Sequence, residues 1–133
     1  MTLQEIFAGC TAKPLLAEEP MAKHTSFRIG GPADLMAMPQ SEQELQQLLQ
    51  RAGEAKVPVT LIGNGSNLLV RDKGIRGLVI KLGNMLNDVA ADGCTLTFGS
   101  GVSLAAASRK AAELGEIPIG AVLVEMATGE VVA

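Results

Sequence analysis

Apolar side chains recur at Leu45, Leu48, Leu49 and Ala52, the i, i+3, i+4, i+7 spacing that gathers one face of an α-helix. Ser41 stands just ahead of this run with Glu44 three residues on, a capping-box pair, so the pattern predicts an amphipathic helix over SEQELQQLLQRAGEAK. The start of the chain repeats the device in short form: Thr2 and Glu5 frame Leu3, Ile6 and Phe7 and predict a short helix. Between the two helices, Pro14 and Pro20 around LLAEE read as a connector. TSFRIGGPADLMAMP reads as a strand, a break at Gly30-Gly31-Pro32, and a second strand through Leu35, Met36 and Met38 that Pro39 ends.

After the long helix the period changes to that of strands. VPVTLI is a short apolar strand that enters Gly63-Asn64-Gly65-Ser66-Asn67; LLV leaves this loop, RDKG turns, and IRGLVIKL is another strand. From about Asn84 a second unit begins. GCTLTFGSG reads as a strand in which Thr95 and Thr97 alternate with Cys94, Leu96 and Phe98. Ser103 caps a helix whose Leu104, Ala107, Ala111 and Leu114 share a face, with Gly115 as its stop. IPIGAVLVEMATGEVVA predicts a hairpin turning at Thr128-Gly129. The sum is an α/β (α+β) chain in two lobes: a helix and connector over 1–17, a first lobe over 18–83, the start of a second over 84–116, and a hairpin over 117–133.

Composition narrows the classes. With 133 residues and 47% hydrophobic side chains, the chain is long and apolar enough for a sizeable core. Aromatic residues are only 2% and the net charge is −3, which argues against nucleic acid as a partner, since such surfaces are basic and stack bases on aromatic rings. A nucleotide cofactor needs only a few local donors and stays compatible. Cys10 and Cys94 form neither a disulfide framework nor metal-ligand spacing. No run reaches the about 18 apolar residues of a membrane span, and the first ten residues lack a basic leader, so a cytoplasmic protein without a membrane partner is expected. No carboxylate pair or activated nucleophile stands out, and RDKGIR reads as a charged turn. His24 and Arg28 show no partners in the sequence and read as structural or solvated, Arg28 with some prospect of meeting a phosphate.

The glycine loop is therefore the main candidate for chemistry. A dinucleotide fingerprint would open a helix, and LLVRDKG has no helical period. A phosphate loop of the Walker type needs a Lys and a Ser or Thr that are missing. What remains is a plain turn, or a nest of backbone N–H groups and the Ser66 hydroxyl turned toward an anion.

HTSFRIGGPADL, a capped helix, VPVTLIGNGSNLLVRDKGIRGLVIKL and LTFGSGVSLAAASRKAAELG, in that order, resemble the UDP-N-acetylenolpyruvoylglucosamine reductase family over about residues 18–115. That resemblance implies a two-lobed FAD-binding domain of the vanillyl-alcohol-oxidase/PCMH type, from flavoenzymes of bacterial cell-wall synthesis that are NADPH-dependent when intact. It implies that Gly63, Asn64, Gly65, Ser66 and Asn67 cradle the FAD pyrophosphate, that Ile62 and Leu68 lie beside it, and that Gly101 and Val102 approach the cofactor from the second lobe. The tail, KAAELGEIPIGAVLVEMATGEVVA, resembles instead the first hairpin of tRNA-adenosine and cytidine deaminases, with the join in AAELGE. The zinc-ligand segments of that family do not occur in the chain, which rules out zinc deamination. The expectation is an FAD-binding domain fragment, catalytically incomplete and closed by a hairpin; the alternative is a chimeric structural domain without ligand.

Overall fold

Thr2 caps the first helix, α1 (Leu3–Ile6), through both halves of the expected box: the Glu5 N–H donates to the Thr2 hydroxyl, and the Thr2 N–H donates to the Glu5 carboxylate. The chain continues through β1 (Leu16–Pro20), a 3-10 turn (Met21–His24), β2 (Pro32–Ala37), α2 (Glu42–Ala55), β3 (Val59–Ile62) and β4 (Ile75–Lys81). These elements make up one compact unit, Met1–Leu86, and a second unit begins at Asn87. The computed structural model describes residues 1–83, 85–93 and 95–113.

The four strands form one sheet in the order β1-β2-β4-β3, with β1 antiparallel to β2, and β2 and β3 both parallel to β4. β2 and β4 occupy the centre and are buried on both faces, which is why they read as apolar runs without alternation. On one face Leu35, Ala37, Leu78 and Ile80 pack with Leu48 and Ala52 of α2 and with Phe7 and Cys10. On the other face Ala33, Met36, Val79 and Ile62 pack with Met21 and Val70. The register between β2 and β4 slips by one residue, from Ala33↔Ile75 to Leu35↔Leu78. Gly77 takes up the slip at φ +84, against the Pro58 carbonyl where a Cβ would not fit. Asp34 holds this bulge, accepting the Gly77 N–H at 3.0 Å and pairing with Arg76 at 2.9 Å.

Three sequence expectations change here. LLAEE is not a connector: most of it forms β1, which pairs with β2 from Leu16↔Met36 to Pro20↔Pro32. Its proline sits at the end of an edge strand, where the missing N–H costs no ladder bond. TSFRIGG is not a strand; Phe27 and Ile29 are half exposed, and the segment is held instead by loop-to-loop hydrogen bonds. LLV, which leaves the glycine loop, forms no strand; Val70 is buried and Leu69 exposed. The second capping box is half formed. Ser41 caps the Glu44 N–H, but the Glu44 carboxylate accepts from Gln40 (2.6 Å) and Ala12 (2.9 Å) rather than from the cap residue, tying the early chain to the helix start.

In the second unit, β5 (Val89–Asp92) pairs antiparallel with β6 (Thr95–Phe98), and α3 (Leu104–Glu113) follows. β5 was not expected; its four residues are all exposed and carry no burial pattern. β6 alternates as predicted, with Leu96 and Phe98 half-buried between exposed threonines. Ser103 caps α3 by accepting the Ala106 N–H. Ala107 and Ala111 are half-buried on the expected face while Leu104 is exposed. Leu114, Gly115 and the hairpin expected over 117–133 lie outside the described residues.

Candidate functional site

The glycine loop leaves the sheet at the carboxyl end of β3, the edge of a parallel sheet at which α/β folds bind ligands. Both of its ends are anchored in the second core. Ile62, 6% exposed, packs there and its carbonyl accepts the Leu82 N–H; Val70 packs there beyond the loop, with Leu68 partly buried against the same cluster. Ile62 is thus a core side chain, and any share it has in a ligand site runs through its main chain. Between these anchors Gly63, Asn64, Ser66 and Asn67 are exposed and Gly65 is buried.

Gly65 is the pivot. Its φ of +67 is the left-handed region that glycine adopts at little cost, and a Cβ there would overlap the His24 carbonyl oxygen. The Gly65 carbonyl accepts the Ser26 N–H at 3.0 Å, so the loop rests on the segment that follows the 3-10 turn. A further bond, from the Gly31 N–H to the Arg71 carbonyl, joins the same two stretches of chain. Among the described residues, none of the N–H groups of Gly63, Asn64, Gly65, Ser66 or Asn67 donates to a protein acceptor. Successive free N–H groups around a left-handed glycine are the physical form of an anion nest, and the Ser66 hydroxyl adds a donor. No helix starts at the loop, so no helix dipole contributes.

Sequence reasoning missed the partners of His24. Its Nε2 lies 3.0 Å from Glu19 Oε1 on β1, and its Nδ1 lies 3.0 Å from Lys81 Nζ at the end of β4. The signal available was faint: a lysine closing the apolar run GLVI, and a glutamate in what read as a connector. Lys81 stands opposite Ile62 in the sheet, next to the loop's entry. It also lines a depression of about 240 Å³ at the carboxyl ends of β2 and β4, with Lys13, Met38, Gln40 and Met85. Arg28 has a left-handed backbone (φ +56) and makes no ion pair among the described residues. Gly101 and Val102 belong to the second unit, in the turn between β6 and α3, where the Val102 N–H donates to the Gly99 carbonyl. Among the described residues no group of His, Cys, Asp and Glu side chains could hold a metal.

A glycine loop at the carboxyl edge of parallel strands is an arrangement at which α/β domains bind ligands. The FAD binding domain family matches residues 33–128, and the chain belongs to that family, whose cofactor is FAD. The match runs past AAELGE, so one family pattern covers most of the tail as well. The chain is 48% identical over 100 residues to the UDP-N-acetylenolpyruvoylglucosamine reductase of Heliobacterium modesticaldum, covering 75% of this chain and 32% of that protein. It is 44% identical over 109 residues to the enzyme of the same name from Alkaliphilus metalliredigens, covering 82% and 36%. With that of Agathobacter rectalis the identity is 50% over 111 residues, covering 74% and 35%. The chain spans about one third of the length of these curated relatives.

Proposed function

We infer that the chain is the FAD-binding part of a UDP-N-acetylenolpyruvoylglucosamine reductase, and that the loop of residues 63–67 holds the FAD diphosphate. The observation that carries this reading is the set of five loop N–H groups without a protein acceptor among the described residues, at the carboxyl edge of the sheet. A diphosphate suits several convergent backbone donors, and the absence of side chains at Gly63 and Gly65 lets it come close to the main chain. The reading extends to the two-lobed vanillyl-alcohol-oxidase-like architecture, to Gly101 and Val102 as contacts from the second unit, and to a cytoplasmic setting in NADPH-dependent cell-wall precursor synthesis. It includes no nucleic-acid or membrane partner. FAD, when bound, supplies hydride transfer; this chain's residues bind and orient it. A structural reading of the loop has one observation in its favour, since the close approach of Gly65 to His24 requires a glycine with or without ligand.

The two readings separate by affinity. FAD should bind the chain at least about tenfold more tightly than riboflavin, which lacks the diphosphate, and ADP should compete with it. The chain has no Trp and no Tyr, so flavin fluorescence is read without overlapping protein emission. Equal affinity for FAD and riboflavin would leave the loop as a turn.

A further inference from the structure

His24 is the only histidine in the chain, and its ring is fastened at both nitrogens. The Lys81 ammonium has donors and no acceptor, so Nδ1 must accept from it, and the ring proton sits on Nε2 and is donated to Glu19. These contacts fit a neutral Nε2–H imidazole held between an ammonium and a carboxylate. The ring is 11% exposed and Glu19 16%, so water competes little for either bond. The three side chains come from β1, the 3-10 turn and β4.

The same residue carries the glycine loop. Gly65 sits against the His24 carbonyl and the Thr25 Cα, and the Ser26 N–H donates to the Gly65 carbonyl. Lys81, on the far side of the ring, stands opposite Ile62, from which the loop departs. The imidazole is thus coupled to the loop at its pivot through its own main chain, and at its root through Lys81.

We propose that His24, in its neutral Nε2–H form, is the positioning residue that sets the loop donors for the flavin diphosphate; this rests on the assignment of the loop made above. The proposal has a pH sign. A second proton enters at Nδ1, turns the acceptor of the Lys81 bond into a donor, and sets a cation against an ammonium. The ring then keeps Glu19 and leaves Lys81, and the 24–26 main chain shifts under Gly65. Protonation of the ring therefore lowers affinity for FAD, whereas affinity for riboflavin does not change. The titratable groups in contact with the ring are Glu19 and Lys81, and Lys23 is its neighbour on the 3-10 turn.

The test uses the full chain and follows the single imidazole and the Gly65 amide by nitrogen-15 NMR from about pH 8 to about pH 5, with FAD and riboflavin affinities over the same range. At the alkaline end the ring should be the Nε2–H tautomer, and the Gly65 amide should shift together with the ring resonances. FAD should weaken roughly tenfold toward acid, the loss of one charge-assisted hydrogen bond. Lys81→Met should flatten this pH dependence. His24→Asn, whose amide oxygen reaches the region of Nδ1, should bind FAD better than His24→Ala. The ratio of FAD to riboflavin affinity is the readout, because a general loss of fold would lower both. An Nδ1–H tautomer, or a ratio unmoved by acid and by both His24 variants, would overturn the inference. Equal affinity of the unaltered chain for FAD and riboflavin would overturn the loop assignment, and the inference with it.

Discussion

Two glycines of one loop answer to different constraints. Gly65 has a positive φ and the His24 carbonyl where a Cβ would stand, whereas a Cβ on Gly63 meets only open space. Gly65→Ala should therefore cost about 1–3 kcal/mol and lower the thermal midpoint with or without flavin. Gly63→Ala should leave unfolding within about 0.5 kcal/mol of the unaltered chain and, if the loop holds the diphosphate, still weaken FAD more than riboflavin, because a side chain there keeps a ligand from the main chain. Calorimetry and a flavin titration on the pair separate fold from ligand, which a substitution at Gly65 alone would confound. Cys10 makes a second prediction at this scale. Burial raises its thiol pKa, and the Arg51 charge offsets part of that shift. The folded state thus holds the thiol proton more firmly than the unfolded chain does. Its contribution is complete below the pKa of the unfolded thiol and is lost as the pH rises through the folded one. Denaturant unfolding above about pH 9 should lose stability more steeply in the unaltered chain than in Cys10→Ala.

At the scale of elements, α2 organises the early chain as well as covering the sheet. Ser41 caps its first turn, and Glu44 reaches out to the N–H groups of Gln40 and Ala12. Arg51, farther along, donates to the Ile6 and Ala8 carbonyls at 3.1 and 2.7 Å and satisfies the end of α1. A four-residue helix has too few hydrogen bonds to offset its own nucleation, so α1 depends on these contacts and on Phe7 in the core. Ser41→Ala should destabilise by about 1 kcal/mol. Glu44→Ala should cost about 1–2 kcal/mol, since two charge-assisted bonds go at once, and Glu44→Gln should recover part of it through its remaining acceptor oxygen. Chemical denaturation of the three variants orders these effects; a Glu44→Gln as damaging as Glu44→Ala would mean that the carboxylate's charge alone matters.

At the scale of the molecule, the two core clusters both lie within the first unit, from Phe7 to Met85. Its four-stranded sheet is completed there, and α1 and α2 cover one face while Met21 and Val70 close the other. About 86 residues exceed the size at which many domains fold alone. A chain ending at Leu86 should therefore unfold in one cooperative transition on heating. A gradual melt would show that this core depends on residues beyond it.

The local sequence by itself determined the starts of α1, α2 and α3, because a cap residue and the apolar positions after it act within one or two turns. It also determined the short strands β3 and β4 and the donor-rich composition of the loop between them. Burial of a face leaves a period in the sequence; pairing at a distance leaves almost none. That is why β1 read as a connector: an edge strand buries little, and its partner β2 lies more than ten residues on. It is also why Phe27 and Ile29 suggested a strand where the chain forms a loop, since alternation predicts burial only if a sheet is there to receive it. The site divides in the same way. Glycines, asparagines and a serine announced a loop able to meet an anion, but only the tertiary structure left its N–H groups without acceptors among the described residues and put Gly65 on the His24 carbonyl. The ring of His24 meets Lys81 57 residues away, a contact made because β1 and β4 flank β2 in one sheet and the 3-10 turn after β1 packs on one face of that sheet through Met21.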